Sequence, residues 1–245
     1  MKKVISFSLW GEDPKYCVGA IKNAILAQEH YPGWICRYHV GSSTPKKYIN
    51  ELHAQPNVEL VLKSEPGDWT GMFWRFEDAS DLSVEAMISR DTDSRLDGRE
   101  AKAVAEWLSS DKKFHIMRDH PYHATEILGG MWGVKNPFLG DMKHLINSYI
   151  KGNFWQVDQD FLKQVIYPIV ARHSCVHDEY FEKRPFPMER EPGFFVGQAF
   201  NSDDTVCDPR ALSSICKEGL KLSREHTYDA RAKKLIEIYE EKRYE

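Results

Sequence analysis

The amino-acid sequence predicts an α/β fold in which helices flank a mostly parallel central sheet. Short apolar runs alternate with helical patterns over residues 4–62, and polar or glycine-containing segments follow the runs. This alternation is typical of β-α-β-α-β units with right-handed crossovers. The pattern is Rossmann-like, but the Gly-x-Gly-x-x-Gly sequence of dinucleotide-binding proteins is absent, which argues against a dinucleotide site.

Three strands and two helices make up this first part of the chain. The apolar runs are short enough for strands, which are predicted at residues 4–9, 35–40 and 58–62. Apolar side chains recur at helical spacing between them, and the helices are predicted at residues 16–30 and 45–54. Pro45 stands where proline is favoured, at the start of the second helix.

The second part of the chain alternates less regularly. Further helices are predicted at residues 70–80, 97–110, 141–149 and 157–170, with strands at residues 86–89 and 113–118 and a glycine-rich strand or turn at residues 127–134. Pro168 should end or kink its helix, because proline cannot continue the hydrogen-bond ladder. We expect a single domain over residues 1–245, with a charged helix at residues 229–244 and residues 220–245 peripheral.

Composition excludes several classes of protein. The chain has 245 residues, of which 42% are hydrophobic and 29% charged, with a formal net charge of −4, so neither nucleic-acid binding nor a basic membrane patch is expected. The apolar N-terminal run is interrupted by serines and ends at residues 11–13, which favours a first strand over a signal peptide. No stretch is long enough to span a bilayer. Five cysteines without close-paired spacing predict a reducing, cytoplasmic setting.

Two carboxylates follow the strand predicted at residues 86–89. Ligands of open α/β sheets gather at the carboxyl ends of strands, and Asp91 and Asp93 would point the same way if the chain stayed extended. Clustered carboxylates favour a hard cation such as Mg²⁺ or Mn²⁺ between them. The alternative is a solvated turn in which one aspartate caps the next helix.

Three features then stand in one order along the chain. They are Arg75 within an aromatic-rich helix, Asp91-Thr92-Asp93 at a strand end, and Asp158-Gln159-Asp160-Phe161-Leu162 at a helix start. In this order the chain resembles the GT-A-fold glycosyltransferases, in particular the retaining family that includes glycogenin and the bacterial lipopolysaccharide galactosyltransferases. The resemblance covers roughly residues 3–180, as an order of short motifs.

The resemblance implies transfer of a sugar from a nucleotide-diphosphate sugar, with a UDP-sugar favoured, to a saccharide or glycoconjugate acceptor, with retention and with Mn²⁺ or Mg²⁺ as cofactor. By matching motifs, Asp91 would contact the ribose and the metal, and Asp93 would be the stronger metal ligand. Asp158 would bind donor-sugar hydroxyls, and Gln159 would lie near the anomeric carbon. The donor site is expected to comprise Leu9, Trp10, Arg75, Asp91, Thr92, Asp93, Gly130 and Trp132.

A third metal ligand is harder to assign. The resembled family uses a histidine in a His-x-x-Gly…Lys-Pro-Trp pattern, which this chain lacks. His177 is the candidate by position, and His173 is its rival.

A second polar cluster, Asp119, His120 and His123, precedes the glycine-rich stretch. A pair of Asp119 and His120 could act as the general base of an inverting enzyme, or these residues could bind a sugar or close a hydrogen-bonded loop. The glycines at 129–133 permit close backbone approach. Trp132 among them offers a face for a sugar ring or belongs to the core.

Two other functions fit the same pattern. A sugar-phosphate nucleotidyltransferase would need a glycine-rich, basic loop after the first strand, and residues 9–15 lack it. A non-catalytic nucleotide-sugar-binding protein on the same fold would use the carboxylates as structural caps.

Overall fold

The computed structural model describes residues 1–149 and 152–207. A seven-stranded sheet with the order β3-β2-β1-β4-β6-β5-β7 runs through them. The strands are β1 (Lys2–Leu9), β2 (Ile35–Val40), β3 (Val58–Leu62), β4 (Val84–Ser89), β5 (Phe114–Arg118), β6 (Trp132–Lys135) and β7 (Ser174–Asp178). The α-helices are α1 (Pro14–His30), α2 (Lys46–His53), α3 (Gly98–Ser109), α4 (Met142–Ser148), α5 (Val157–Phe161) and α6 (Tyr167–Val170).

All neighbouring strands run parallel except those that flank β6, which is antiparallel to β4 and β5. The carboxyl ends of β1 and β4 therefore meet at one edge of the sheet. Because β6 runs the other way, the loop that leads into it reaches the same edge. Segments 10–13, 90–94 and 119–131 are thus brought together.

The two faces of the sheet bury separate apolar clusters, because side chains alternate along a strand. On β1, Ile5, Phe7 and Leu9 pack into a cluster with residues of α1, α2 and α3. Val4 packs on the other face, in a cluster with residues of α4, α5 and a helix at Trp69–Ser80. Covered strands of this kind account for the apolar runs in the sequence.

The helix at Trp69–Ser80 was predicted from its pattern and is confirmed, but it is a 3₁₀ helix of 12 residues. A buried polar network fastens it to the sheet. Asp78 accepts hydrogen bonds from Ser6 (2.6 Å) and from Arg37 (2.9 Å), and the backbone N–H of Arg75 donates to Ser8 Oγ (3.1 Å). These contacts fix the direction in which Arg75 leaves the helix.

The helical stretch at residues 157–170 changes type instead of ending at Pro168. A π-helical segment, Leu162–Ile166, separates α5 from α6, and Pro168 lies in the first turn of α6. Proline has no N–H with which to continue an α-helical ladder, and a π segment re-registers that ladder. The predicted break therefore takes the form of a wide turn within a continuous helical path.

The predicted fold class, α/β with a mostly parallel sheet flanked by helices, is confirmed. The helix predicted at residues 229–244 and the peripheral segment 220–245 lie outside the described residues. The assignment of the whole chain to one domain stays a prediction. Within residues 1–149 and 152–207, none of the helices has the length and apolar character needed to cross a membrane.

Candidate functional site

A cavity of about 480 Å³ opens at the sheet edge where β1 and β4 end. Its lining comes mainly from the end of β1, the segments that follow β1 and β4, the helix at Trp69–Ser80, the glycine-rich loop and the start of α5. The lining residues are Ser8, Leu9, Trp10, Gly11, Glu12, Asp13, Tyr16, Trp69, Met72, Arg75, Asp91, Thr92, Asp93, His123, Leu128, Gly129, Met131, Trp155, Gln156, Asp158, Gln159 and Gly197.

An extended chain after β4 would point both aspartates the same way, but the chain does not stay extended. Thr92 and Asp93 form a turn, and the two aspartates take different basic partners. Asp91 pairs with Arg75, whereas Asp93 Oδ2 lies 2.8 Å from Lys15 Nζ in the first turn of α1. Both carboxylates nevertheless line the cavity.

Arg75 joins the acidic turn to α5. Its guanidinium pairs with Asp91 and donates from Nη2 to Asp158 Oδ2 at 3.0 Å, while Nη1 also donates to the carbonyl of Arg90 at 3.1 Å. The residue is 5% exposed. Burial disfavours its charge, but the two carboxylates outweigh that effect and keep the pKa of Arg75 raised. Arg75 is therefore a fixed cation in the cavity wall and not an exposed helix residue.

Asp158 has one carboxylate oxygen that is buried without a hydrogen-bond partner among the described residues. The residue is 1% exposed, its Oδ2 accepts from Arg75, and its Oδ1 has no hydrogen-bond partner among the described residues. Burial and the charge of Asp91 raise the pKa of Asp158, although Arg75 opposes this. A buried acceptor without a partner is costly, and a hydroxyl donor from a ligand would satisfy it.

Gln159 follows Asp158 in the first turn of α5 and also lines the cavity. The residue before this helix, Gln156, has φ of 71°, a left-handed conformation that is uncommon outside glycine. This turn directs the start of α5 toward the cavity.

The glycine-rich loop packs directly on the charged side chains. A Cβ atom on Gly129 would overlap the Asp158 carboxylate and the Arg75 guanidinium, and one on Gly130 would overlap the Asp91 carboxylate. Ser89 Oγ also donates to the carbonyl of Gly129 at 2.7 Å. Glycine is needed at both positions because the backbone lies against the ion pairs.

The charge balance of the cavity is acidic. Five carboxylates line it, those of Glu12, Asp13, Asp91, Asp93 and Asp158. The basic groups beside them are Arg75 and Lys15. Burial, together with the charge of Asp91, raises the pKa of Asp93, although Lys15 opposes this. A cation would relieve this repulsion.

The chemistry of the donor atoms fits a hard divalent cation. Asp91 and Asp93 offer carboxylate oxygens from one turn, and Mg²⁺ is typically held by one or two carboxylates together with substrate phosphates and water. In the described part of the chain, three or more acidic, histidine or cysteine side chains do not converge into a complete protein site. The remaining ligands would come from the substrate or from water.

Aromatic side chains line the same cavity. Trp69 and Trp155 are 44% and 48% exposed, and Tyr16 is 39% exposed. Trp10 packs edge-on against Trp74 at 6.0 Å and against the backbone at Gly67 and Gly71. Exposed rings of this size offer faces for a planar base or a sugar ring.

Trp132 does not belong to the cavity. It is fully buried in the core, where its ring lies 5.2 Å from Phe76 and 5.3 Å from Phe114. Side chains of β6 alternate between the two faces of the sheet, and that of Trp132 lies on the face that packs in the core. Its expected place in the donor site is therefore corrected to a place in the core.

Replacing Trp132 with alanine should lower the free energy of unfolding by about 3–5 kcal/mol, the usual cost of truncating a large buried aromatic residue. Urea unfolding followed by circular dichroism measures this loss. Trp155→Ala is the matched control, since its side chain is exposed and should cost far less. Full stability of the Trp132 variant with loss of ligand affinity would instead restore Trp132 to the site.

His177 is not brought to the aspartates either. It lies in β7, three strands from β4, which places it about 14 Å away at the usual strand spacing. It is 2% exposed, with Nδ1 2.8 Å from His115 Nε2 and Nε2 3.4 Å from Glu106. The rival His173 precedes β7 at the opposite edge and packs against Phe138. A third metal ligand from either histidine has no geometric support.

Asp119 and His120 are held in the protein interior. Asp119 is fully buried, accepts two hydrogen bonds from Arg99 (3.0 and 3.1 Å) and pairs with Arg190. His120 is 1% exposed and accepts from the backbone N–H of Tyr122 at 3.1 Å. Neither lines the cavity, so the general-base pair expected of an inverting enzyme has no access to a substrate there.

The sequence-based site omitted several residues that the structure brings in. Lys15 pairs with Asp93 and lies in the segment after the carboxyl end of β1. The rule that ligand-binding residues gather at the carboxyl ends of strands could therefore have found it. His123 belongs to the second polar cluster and Gly129 to the glycine-rich stretch of the sequence analysis, but neither was assigned to the donor site. Trp69, Trp155 and Gly197 gave no local signal, because only the tertiary fold brings them to this edge.

Comparison with known proteins bears on the fold. The chain matches no protein-family model and no curated protein sequence. Among solved structures, S. aureus TarS 1–349 is similar with a TM-score of 0.50 and 10% identity, over 73% of this chain and 58% of that one. A glycosyltransferase involved in glycosylation of the major capsid of PBCV-1 has a TM-score of 0.48 and 19% identity, over 74% and 84% of the two chains.

A mannosyltransferase from Pyrobaculum calidifontis, solved in complex with GDP-Man and Mn²⁺, has a TM-score of 0.45 and 14% identity, over 75% of this chain and 58% of that one. At these identities the likeness concerns the fold. The likeness to TarS, together with the sheet order, supports the GT-A-like α/β fold class for this chain.

Proposed function

We propose that this protein is a metal-dependent glycosyltransferase that uses a nucleotide-diphosphate sugar as its donor. The observation that carries the proposal is the convergence of three separate motifs in one cavity. Arg75, the acidic turn at residues 91–93 and the α5 start at residues 158–159 are up to 84 positions apart in sequence, yet two ion pairs of Arg75 connect them.

The acidic turn is the proposed place of the diphosphate. A diphosphate would be repelled by the carboxylates of this cavity unless a cation lay between them. Asp91 and Asp93 would hold Mn²⁺ or Mg²⁺, which when bound neutralises the negative charge that develops on the leaving nucleotide diphosphate. Neither His177 nor His173 is included in this proposed site.

Two aromatic rings of the cavity are the proposed place of the nucleoside. Tyr16 and Trp10 follow β1 on the side of the cavity next to the acidic turn, and both line it. A planar base stacks favourably on such rings without a specific hydrogen-bond pattern. A UDP-sugar is the favoured donor, in keeping with the sequence-based expectation.

The start of α5 is the proposed sugar subsite. The unpartnered Oδ1 of Asp158 would accept a hydrogen bond from a sugar hydroxyl, while Arg75 holds the other carboxylate oxygen in place. The neutral amide of Gln159 would lie beside the anomeric carbon. The acceptor is proposed to be a saccharide or glycoconjugate hydroxyl.

Retention of anomeric configuration is the proposed stereochemical outcome. An inverting reaction needs a base on the face of the sugar opposite the leaving group, and the pair assigned to that role, Asp119 and His120, lies buried away from the cavity. In a retaining site the departing phosphate can itself take the proton of the acceptor hydroxyl, and Arg75 is close enough to the acidic turn to stabilise its charge.

A donor-hydrolysis screen tests the proposed function. The purified protein is incubated with UDP-, GDP- and CMP-sugars in Mn²⁺ or Mg²⁺, and release of the nucleotide is followed. We expect slow, metal-dependent hydrolysis of at least one donor. Metal-dependent nucleotide-sugar binding without hydrolysis or transfer would favour the non-catalytic binding protein, and no binding to any of these nucleotides would contradict both.

A further inference from the structure

His123 is a cavity residue that the proposed mechanism has not used. It lies in the segment that connects β5 to β6, and it lines the cavity together with Leu128, Gly129 and Met131. Its ring is held between aromatic neighbours, 5.6 Å from the ring of Phe195 and 5.8 Å from that of His120.

One hydrogen bond fixes which ring nitrogen carries the proton. The backbone N–H of Asp119 donates to His123 Nδ1 at 3.0 Å. A neutral imidazole has one donor and one acceptor nitrogen, so a ring that accepts at Nδ1 carries its proton on Nε2. The Asp119 N–H is thus a structural element that selects the tautomer.

The surroundings keep this imidazole neutral. Burial lowers the pKa of His123 well below its usual range, and electrostatic interaction with His120, Arg190 and Arg118 lowers it further. The carboxylate of Asp119 does not offset this, since Arg99 and Arg190 pair with it. At neutral pH the ring is a hydrogen-bond donor without a positive charge.

The donor nitrogen has no protein partner. Among residues 1–149 and 152–207, His123 Nε2 makes no hydrogen bond, and the residue is partly exposed. Because His123 lines the cavity, a ligand bound there is the partner available to this N–H.

We propose that His123 donates a hydrogen bond from Nε2 to a hydroxyl oxygen of the donor sugar, and so helps to select and orient that sugar. The proposal rests on the proposed function of the cavity. The sugar is favoured over the diphosphate because a donor without a positive charge suits a neutral hydroxyl oxygen, whereas Lys15, Arg75 and the proposed cation at the acidic turn suit the anionic diphosphate. A protonated Nε2 cannot act as the base for an acceptor hydroxyl, so His123 is a binding and positioning residue.

The tautomer is tested without any substrate. In a long-range ¹H–¹⁵N correlation spectrum of protein with ¹⁵N-labelled histidine at pH 7, the signals that disappear in His123→Asn belong to His123. We expect the pattern of a neutral ring protonated at Nε2. An imidazolium pattern, or a proton on Nδ1, would overturn the proposal.

The contact with the sugar is tested by comparing UDP with UDP-glucose, and GDP with GDP-mannose, in calorimetric titrations with Mn²⁺. His123→Asn keeps an acceptor near the Asp119 N–H but loses the donor at the Nε2 position, whereas His123→Gln keeps a donor near that position. We expect His123→Asn to weaken binding of the preferred nucleotide sugar about 3–10-fold, the worth of one neutral hydrogen bond, with no change for the free nucleotide. His123→Gln should recover part of the loss.

The outcomes separate the two proposals. If the wild-type protein binds none of the four ligands, the proposed function fails for these donors and the role of His123 fails with it. If the wild type binds but His123→Asn weakens nucleotide and nucleotide sugar equally, or neither, the sugar contact is refuted while the proposed function stands. His53→Asn, an exposed histidine on α2, is the control and should change nothing.

Discussion

Asp158→Ala should lower the rate of sugar transfer about 10²-fold while leaving the affinity for the free nucleotide diphosphate nearly unchanged. The carboxylate has one oxygen on Arg75 and one without a partner, and the proposed sugar hydroxyl would bind the second. Charge-assisted hydrogen bonds contribute about 1.5–3 kcal/mol, which corresponds to this loss of rate. Transfer is measured by release of nucleotide, and affinity by calorimetry with UDP and Mn²⁺.

Asp160→Ala is the matched control for Asp158. It removes a carboxylate from the same turn of α5, but Asp160 does not line the cavity. We expect near wild-type transfer from this variant. Thermal unfolding of both variants is needed as well, because Arg75 loses one of its two carboxylate partners in Asp158→Ala. Equal losses of transfer and nucleotide affinity would show that Asp158 acts as a structural cap.

Much of the fold could be predicted because strands buried on both faces leave continuous apolar runs. β1 and β4 are strands of this kind, and the motif order selected Arg75, Asp91, Asp93, Asp158 and Gln159, all of which line one cavity. The rule that ligands gather at carboxyl ends of strands depends only on local pattern and topology. It can therefore predict where such residues meet without knowledge of the side-chain contacts.

The failures have a different physical origin. Trp132 and His177 were selected by residue type and by their position along the chain, but the pleat of a strand and its place in the sheet decide where a side chain lies. Trp132 faces the core, and His177 belongs to a strand far from the acidic turn. Asp119 was a candidate base from its sequence position, but its carboxylate oxygens already accept three hydrogen bonds from Arg99 and Val196. Such long-range partners leave no local trace.

Asp93→Asn should weaken Mn²⁺ binding, and with it metal-assisted UDP binding, by at least about 10²-fold. Loss of an outer-shell partner of a metal ligand alone costs about 10–100-fold in affinity, and Asp93 is proposed to be a ligand itself. The variant also frees Lys15, whose ammonium lies 2.8 Å from the carboxylate. Direct Mn²⁺ titration by electron paramagnetic resonance gives the metal affinity, and calorimetry in Mn²⁺ and in EDTA gives the affinity for UDP.

Calorimetry in EDTA distinguishes a diphosphate site that needs a metal from one formed by protein groups alone. The wild-type protein should bind UDP far more weakly in EDTA, because the carboxylates that line the cavity outnumber the basic groups beside them and repel an anion. Glu12→Gln, which removes another acid of the same cavity outside the turn, should keep its Mn²⁺ affinity. If UDP bound the wild type equally well in EDTA and in Mn²⁺, Lys15 and Arg75 would be the groups that hold the diphosphate, and Asp93 would serve only to position Lys15.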